Sequence, residues 1–367
     1  MSTKKFSENT LLIDKIKEFR FNSVKRKFRL EGEQLDKPIS FWIKEDRLLK
    51  TKGKEFTIIL RTKGCSWALG DFGGCSMCGY IQDSTIEKID QVHIINQFQY
   101  ALQEKINDII SDEDDYILKI FNSGSFFDDS EISKEVRENI FKKIADIPKI
   151  KEVVIESRVD YITKEKLKNM KNILKEKYIE VAIGLETVND YIRNVYINKG
   201  LKFNDFLDVV HLCKKNDVGV RTYLLFKPPF LNEQTAIEDC VNSIQKLTEL
   251  KINTISINPL NIQKNSLVEY LFYQNRYRPP WFYSLFKCLI KACKNNDILE
   301  SVRIISSPSG AGTKKGIHNC LKRDCNEFMI KALNEFVLTQ NISTLTKNDS
   351  DFSCDCLLKY QLQKNFI

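Results

Sequence analysis

The sequence predicts an α/β protein organised as a partial (β/α)6 barrel, with a basic arm before it and a helical, Cys-rich extension after it. Three observations support this prediction. Short β-rich segments alternate with amphipathic helical patterns from residue 54, polar residues follow each predicted strand, and the alternation ends near residue 260. We therefore assign the arm to residues 1–53, the barrel to 54–260 and the extension to 261–367 of this 367-residue chain.

The N-terminal arm has a marked excess of positive charge. Residues 15–55 carry 13 Lys and Arg against 7 Asp and Glu, in a chain of formal net charge +8. Basic residues interleaved with aromatic ones suit an RNA backbone and unstacked bases, although a solvated basic face has the same composition. The interleaved residues are Lys25, Arg26, Lys27, Phe28, Arg29, Phe41 and Trp42.

The predicted barrel consists of six strands joined by helices. Strands separated by helical crossovers pair in parallel through right-handed βαβ units, so their C-terminal ends should share one rim. The predicted strands cover residues 56–60, 116–121, 152–156, 179–185, 219–226 and 254–257. The predicted helices lie near residues 86–110, 131–146, 164–177, 204–216 and 234–249. Ser130 and Thr163 are the expected N-caps of the second and third of these helices.

A Gly-rich loop after the first predicted strand contains Cys65, Cys75 and Cys78, within RTKGCSWALGDFGGCSMCGY. Nine residues separate the first two cysteines and two separate the last pair. Three thiolates on one loop can bind three irons of a [4Fe–4S] cluster and leave the fourth iron open to another ligand. The loop is therefore a candidate cluster site.

Two other interpretations of these cysteines are open. Cysteines can be small buried apolar residues, or they can hold structural zinc. The glycine content of the loop is poor for core packing, and a zinc site would need a fourth ligand nearby. The nearest histidine, His93, lies in an amphipathic helical pattern, where a packed or surface side chain is expected.

Polar or glycine residues follow the next three predicted strands. If the strand ends share one rim, these side chains should line a small-molecule site. The candidate residues are Asn122, Ser123, Gly124 and Ser125 after the second strand, Glu156 and Arg158 after the third, and Glu186 after the fourth.

The extension contains a second group of cysteines, Cys320, Cys325, Cys354 and Cys356, with His318 close in sequence. Brought together by a helical hairpin, these residues would satisfy tetrahedral zinc, which we favour. A second Fe–S cluster and a set of unrelated thiols are the alternatives. The other cysteines, Cys213, Cys240, Cys288 and Cys293, lie in helical patterns and are predicted to be core residues.

The sequence contains no apolar run long enough to span a membrane, and its N-terminal segment MSTKKFSENT is polar in overall composition. Eleven cysteines without a secretory signal are typical of a reducing compartment. We therefore expect a cytoplasmic protein without a membrane partner.

The spacing Cys-x9-Cys-x2-Cys and the strand-end sequences ESR (156–158) and GLET (184–187) resemble the radical S-adenosylmethionine (SAM) superfamily, in the branch of the Elongator catalytic subunit. The cysteine loop, GIHNC (316–320) and CDC (354–356) are similar to the radical SAM subunits of archaeal archaeosine synthases. The resemblance extends from about residue 20 to the end of the chain.

The resemblance implies a radical SAM barrel and roles for the residues at its rim. Cys65, Cys75 and Cys78 would ligate the [4Fe–4S] cluster. Met77 would lie against the adenine of SAM, and Tyr80 would help to bind the cofactor. Residues 122–125 would contact the SAM amino group, in place of the usual Gly-Gly-Glu segment. The remaining strand-end residues would contact the ribose and methionine parts of SAM or the substrate; they are Glu156, Arg158 and Glu186.

The implied activity is a lyase step in transfer RNA (tRNA) modification. In that family a partner subunit adds lysine to 7-cyano-7-deazaguanosine at position 15 of tRNA. The radical SAM subunit, supplied by an electron donor, then breaks the lysine C–N bond and leaves archaeosine. The sequence also admits a radical SAM enzyme acting on a small molecule or protein, and a non-enzymatic zinc-containing protein that binds RNA. Residues 276–281 (RYRPPW) are a second candidate RNA-binding patch.

Overall fold

The barrel sheet contains eight strands within the part of the chain that the structure describes. The computed structural model describes residues 10–25, 30, 32–294, 297–346 and 354–366. The strands are β1 (Ser40–Arg47), β2 (Lys52–Leu60), β3 (Tyr116–Asn122), β4 (Ile150–Glu156), β5 (Tyr178–Glu186), β6 (Gly219–Phe226), β7 (Thr254–Pro259) and β8 (Arg303–Ile305).

The sheet order is the chain order, from β1 to β8. Strands β2 to β8 are parallel, whereas β1 pairs antiparallel with β2. The two edge strands do not pair with each other among the described residues, so the barrel is open. The predicted strands correspond to β2–β7, and the predicted partial (β/α)6 barrel is confirmed.

The helices follow the alternation that the sequence predicts. They are α1 (Thr10–Lys25), α2 (Ser66–Leu69), α3 (Gln91–Ser111), α4 (Lys134–Ala145), α5 (Lys164–Leu174), α6 (Phe203–Lys215), α7 (Glu233–Glu249), α8 (Leu267–Tyr273), α9 (Phe282–Ala292), α10 (Asp297–Ser301), α11 (Arg323–Thr339) and α12 (Cys356–Gln363). No described helix combines the length and the apolar composition that crossing a bilayer requires.

The main core lies between the sheet and the helices that cover its outer face. Phe98 of α3, Phe141 of α4 and Phe206 of α6 are buried in it. Each comes from the apolar stripe of an amphipathic helix, which must be buried for the helix to be stable. The four cysteines expected in the core are buried there: Cys213, Cys240, Cys288 and Cys293.

One of the two predicted helix caps is wrong. Thr163 caps α5 as predicted, because its side chain accepts a hydrogen bond from the Lys166 amide. The second helix, α4, begins at Lys134 with Ser133 as its N-cap, not after Ser130. The chain forms a turn before α4, and this turn directs Glu131 toward the end of β3.

The barrel interior contains a buried ionic network in its N-terminal half. Arg303 of β8 donates to Glu152 of β4 at 2.8 Å and to Glu180 of β5 at 3.0 Å. Arg221 of β6 also donates to Glu180, at 2.9 Å. Because β4 and β8 are four places apart in the sheet, this contact is possible only because the sheet curls. The network therefore closes this end of the open barrel.

Part of the segment assigned to the basic arm belongs to the sheet, since β1 pairs with β2 along its full length. Phe41 packs against the main core, and Trp42 donates its indole N–H to Glu55 at 2.7 Å. These two aromatic side chains therefore have structural roles. The basic residues of the arm at positions 26–29 lie outside the described residues.

Candidate active site at the C-terminal end of the barrel

The loop that carries the three cysteines begins after β2 and lies over the C-terminal ends of the strands. Two adjacent glycines give it its shape: Gly73 and Gly74 have φ values of 69° and 86°, a conformation that strains other residues. A Cβ atom on Gly74 would also lie 2.9 Å from the Ala68 backbone. The glycines thus permit the tight wrap that places Cys65, Cys75 and Cys78 on one loop.

Three distant segments of the chain hold this loop in place. Arg20 of α1 donates Nε to the Gly73 carbonyl at 2.9 Å and Nη2 to the Cys78 carbonyl at 3.0 Å. The Asn198 amide group donates to two further loop carbonyls. The Gln263 side-chain oxygen accepts from a loop amide at 2.6 Å. The loop is therefore preorganised by tertiary contacts that its own sequence does not reveal.

The three predicted cluster cysteines lie on one loop, and each of them is partly buried. The Cys78 thiol interacts electrostatically with both Cys65 and Cys75, and the Cys65 amide donates to the Ser123 carbonyl at 3.0 Å. Burial raises the pKa of the Cys75 thiol to about 12, although the nearby Lys199 opposes this shift. Cysteine thiols become thiolates when they bind a metal ion.

A buried carboxylate that the sequence did not indicate occupies the end of β3. Glu131 accepts from the Thr62 hydroxyl at 2.6 Å, from the Asn122 amide group at 2.9 Å and from the Ser125 backbone N–H at 2.9 Å. A Cβ atom on Gly124 would lie 1.9 Å from this carboxylate. Burial raises the Glu131 pKa. No sequence pattern distinguishes Glu131 from a helix-surface glutamate.

The side-chain oxygen of Asn122 is buried and has no hydrogen-bond donor within the described residues. An unsatisfied buried acceptor costs free energy unless a ligand or water supplies the donor. Together with Glu131, this oxygen makes the end of β3 a site for a donor group such as an ammonium.

A second polar group lies inside the barrel at the ends of β4 and β5. Glu156 projects inward, and burial raises its pKa to about 7. Lys199 contacts Glu186 at 2.6 Å. Burial opposes the charge of Lys199, but the pairing with Glu186 outweighs burial and raises the Lys199 pKa. Lys199 is a site residue that sequence analysis missed, because it lies in a loop without a motif.

Three further predicted cofactor residues are Arg158, Met77 and Tyr80. The Arg158 guanidinium donates to the carbonyls of Lys199 and Gly200 and stacks over Trp67 at 5.2 Å, so it supports the loop wall. Met77 is partly buried against the smaller hydrophobic cluster above β5–β7. Tyr80 begins a 3₁₀ turn and is half exposed.

The second group of cysteines forms a compact cluster. The Sγ atoms of Cys320 and Cys354 are 3.8 Å apart, those of Cys325 and Cys356 are 3.7 Å apart, and all four lie within 4.8 Å of one another. Cys325 and Cys356 lie in the first turns of α11 and α12, and burial raises the pKa of both thiols.

His318 does not belong to this compact group among the described residues. Its Nδ1 donates to the Gly316 carbonyl at 2.7 Å. Burial and the nearby Arg278 lower its pKa to about 4. The structure therefore gives His318 a neutral, buried position beside the cysteines.

The second candidate RNA-binding patch is largely internal. Tyr277 and Trp281 are buried, and Arg278 lies 3.6 Å from the Trp281 ring centre. Arg278 also donates to the carbonyls of His318 and Asn319. These residues join the barrel to the cysteine cluster, so the structure favours a structural role for them.

Comparison with the models of known protein families gives no match. Among curated proteins, the chain is 36% identical to archaeosine synthase subunit beta of Methanosarcina acetivorans, over 91% of each chain. It is 39% identical to archaeosine synthase subunit beta of Thermococcus kodakarensis, over 83% of this chain and 91% of that one. An uncharacterised protein of Methanocaldococcus jannaschii is 40% identical over 88% of this chain and 85% of its own.

Solved structures give weaker similarities. Methanocaldococcus infernus Elp3 lacking residues 1–46 has a TM-score of 0.47 and 16% identity, over 66% of this chain and 59% of that chain. The radical SAM methyltransferase TsrM of Kitasatospora setae, with tryptophan and a SAM analogue bound, has a TM-score of 0.41 and 13% identity, over 62% of this chain and 40% of that chain. The chain thus spans less than two thirds of either structure.

Proposed function

The chain belongs to the archaeosine synthase subunit beta family, and from this premise we propose that it is a radical SAM lyase of tRNA modification. Its proposed substrate is tRNA that carries lysine-modified 7-cyano-7-deazaguanosine at position 15. Cleavage of the lysine C–N bond would leave archaeosine. The observation that carries this proposal is the three-cysteine loop, which faces buried polar side chains at the strand ends.

The donor groups at the barrel mouth fit the proposed cofactors. Cys65, Cys75 and Cys78 would hold a [4Fe–4S] cluster, because the loop carries three cysteines, which leaves the fourth iron for another ligand. Asn122 and Glu131 offer acceptors suited to the amino group of SAM. When bound, these cofactors supply the one-electron chemistry that a C–N bond without an ionic leaving path needs.

The charged side chains inside the barrel would position the lysine part of the substrate. The Glu156 carboxylate has no hydrogen-bond partner within the described residues and faces the same space as Lys199. Lysine attached through its side-chain nitrogen retains an ammonium and a carboxylate at its other end. Glu156 would accept the former, and Lys199, held by Glu186, would attract the latter. Fixing both ends orients the carbon chain for reaction.

The proposed assembly includes a second subunit. Relatives named subunit beta have at least one partner in their complex. For this chain we propose that the partner attaches the lysine, and that a separate electron donor reduces the cluster.

Conversion of the modified tRNA tests the proposed function. Anaerobically reconstituted protein should convert tRNA bearing the lysine adduct into archaeosine-containing tRNA, with release of 5′-deoxyadenosine when SAM and a reductant are present. The measurement is mass spectrometry of nucleosides after digestion. SAM cleavage that tRNA neither needs nor stimulates, with the adduct unchanged, would instead support a small-molecule or protein substrate. A colourless protein without iron would support the RNA-binding zinc protein.

We also propose that the compact cluster of Cys320, Cys325, Cys354 and Cys356 binds one Zn²⁺ ion. Four sulfurs at about 2.3 Å from a tetrahedral ion lie about 3.8 Å apart. The pairs Cys320–Cys354 and Cys325–Cys356, at 3.8 and 3.7 Å, agree with this spacing. A [4Fe–4S] cluster binds each thiolate to a separate iron and would need the sulfurs farther apart. The geometry therefore favours a single ion over the second Fe–S cluster.

Replacing Cys325 with serine should release this ion and lower thermal stability, because α12 is held to α11 through it. Metal analysis of the reconstituted wild type should give one zinc and about four irons per chain. The C325S variant should lose zinc and keep its iron. Cys293→Ser, which alters a buried cysteine outside the cluster, is the matched control and should keep both metals. About eight irons without zinc in the wild type would contradict the proposal.

A further inference from the structure

Exposed aromatic side chains are concentrated around the mouth of the barrel. Six exposed aromatic residues lie in segments that follow strand ends, and each of the six is between 40% and 64% exposed. We call this set the aromatic rim. Its members are Phe72, Tyr80, Tyr191, Phe230, Tyr270 and Tyr273. Large exposed apolar surface of this kind marks an interaction site more often than a free surface.

One side of the rim is a rigid aromatic platform. Tyr196 makes edge-to-face contacts with Tyr191 at 5.5 Å and with Phe230 at 5.4 Å. The Tyr196 carbonyl accepts from the Ser76 hydroxyl at 2.8 Å, and Ser76 lies between two cluster cysteines. The outer rings, Tyr191 and Phe230, are 61% and 50% exposed. The platform therefore presents two aromatic rings to solvent directly beside the cysteine loop.

A second part of the rim pairs aromatic rings with lysines. Lys15 lies 5.2 Å from the Tyr270 ring centre, and Lys315 lies 5.6 Å from the Tyr273 ring centre. Lys315 is also paired with Glu269, whereas the exposed Lys314 has no acidic partner among the described residues. This side therefore combines apolar faces with positive charge.

The exposed apolar side chains of the extension have a different character. Leu321, Leu358 and Leu362 are aliphatic and more than 60% exposed, and they form no part of the rim. Aromatic rings occur in protein and nucleic-acid interfaces alike, but lysine is depleted in protein interfaces, whereas rings interleaved with lysines suit nucleobases and phosphates. The composition of the rim therefore favours a nucleic acid over a protein.

We propose that the aromatic rim binds unpaired nucleotides of RNA, with bases stacked on Tyr191 and Phe230 and the backbone directed toward Lys314. This inference rests on the proposed function for the identity of the RNA. A base inside a folded RNA can reach the barrel only when it leaves its stack, and its neighbours then need new stacking partners. Tyr191 and Phe230 supply such stacking partners beside the cysteine loop.

Binding of fluorescent tRNA transcript to the reconstituted protein tests the rim. Tyr191→Ala and Phe230→Ala should each weaken binding about tenfold, and the double variant about a hundredfold. The salt dependence should be the same as in the wild type, since no charge is removed. Lys314→Ala should instead lower the slope of log K against log salt by about 0.7. Leu362→Ala, in the extension, is the control and should bind RNA like the wild type.

Several outcomes would overturn the proposal. If the Tyr191→Ala, Phe230→Ala double variant binds RNA with wild-type affinity and has an unchanged melting curve, the rim does not bind RNA. Loss of affinity for the lysine-adding subunit, with RNA affinity intact, would identify the rim as a protein interface. Equal binding of a fully paired RNA duplex would exclude stacking on unpaired bases. If the rim variants lose RNA binding but the wild type does not convert the lysine adduct, the rim is an RNA-binding surface and the proposed reaction is wrong.

Discussion

Cys75→Ala is expected to abolish cluster assembly and SAM cleavage while the protein remains folded. Two thiols do not hold a [4Fe–4S] cluster that relies on three, so activity should fall to background. The substitution removes only a small, partly buried side chain, and the loop keeps its bonds to Arg20, Asn198 and Gln263. The measurements are iron and sulfide content after anaerobic reconstitution, 5′-deoxyadenosine formation, and thermal unfolding.

The control for this substitution is Cys213→Ala, which shortens a buried cysteine of α6 far from the loop. It should lose about 1 kcal/mol of stability but retain its iron and its SAM cleavage. Full iron content and normal SAM cleavage in the Cys75 variant would contradict the assignment of the cluster to this loop.

Glu180→Ala is expected to lower the free energy of unfolding by about 3–5 kcal/mol, because it removes the carboxylate paired with the buried Arg221 guanidinium and leaves Arg303 with Glu152 alone. Glu180 accepts hydrogen bonds from Arg221, from Arg303 and from the Thr254 hydroxyl at 2.5 Å. The measurement is urea unfolding at neutral pH. The matched control is Glu249→Ala, which breaks an exposed pair with Lys246 and should change stability by less than about 0.5 kcal/mol.

The difference between wild type and the Glu180 variant should depend on pH. Burial would raise the Glu180 pKa, but Arg303 and Arg221 outweigh it and lower the pKa to about 2. A carboxyl group with a lowered folded-state pKa stabilises fully above its unfolded value, near 4.5, and loses this contribution as pH falls toward 2. The stability difference should therefore be constant near neutrality and shrink below about pH 4.5. A difference that grows on acidification would contradict the ionic account.

Most of the barrel could be predicted because each βα unit carries its own local pattern. The strands β2–β7 are short β-rich runs bounded by amphipathic helices, and these periodicities do not depend on distant residues. The sequence patterns do not predict the strands β1 and β8, for a different reason in each case. Strand β1, with the sequence SFWIKEDR, has a charged composition that resembles a solvated arm, and β8 contains only three residues. Each forms a strand because it pairs with an edge of the sheet: β1 pairs with β2, and β8 pairs with β7.

The candidate site could be predicted only in part. Spacing in the sequence is sufficient to select Cys65, Cys75 and Cys78, because ligands on one loop are local in the chain. Glu131 and Lys199 carry no such sequence signal. They belong to the candidate site because the fold places them beside Asn122 and Glu186, which lie 9 and 13 positions away in the chain. Arg20 lies in a segment that the sequence marks only as basic, yet it holds the cysteine loop from 53 and 58 residues away.

For the C-terminal cysteines too, the sequence predicts part of the site and the fold determines the rest. Their sequence suggested metal binding but left zinc, an Fe–S cluster and unrelated thiols open. The distances between their sulfurs, which favour one tetrahedral ion, exist only once α11 and α12 meet. Periodicity and ligand spacing are properties of neighbouring residues and can be read along the chain. Which buried charges, orphaned acceptors and aromatic rings face each other depends on long-range packing, and therefore only the folded structure specifies them.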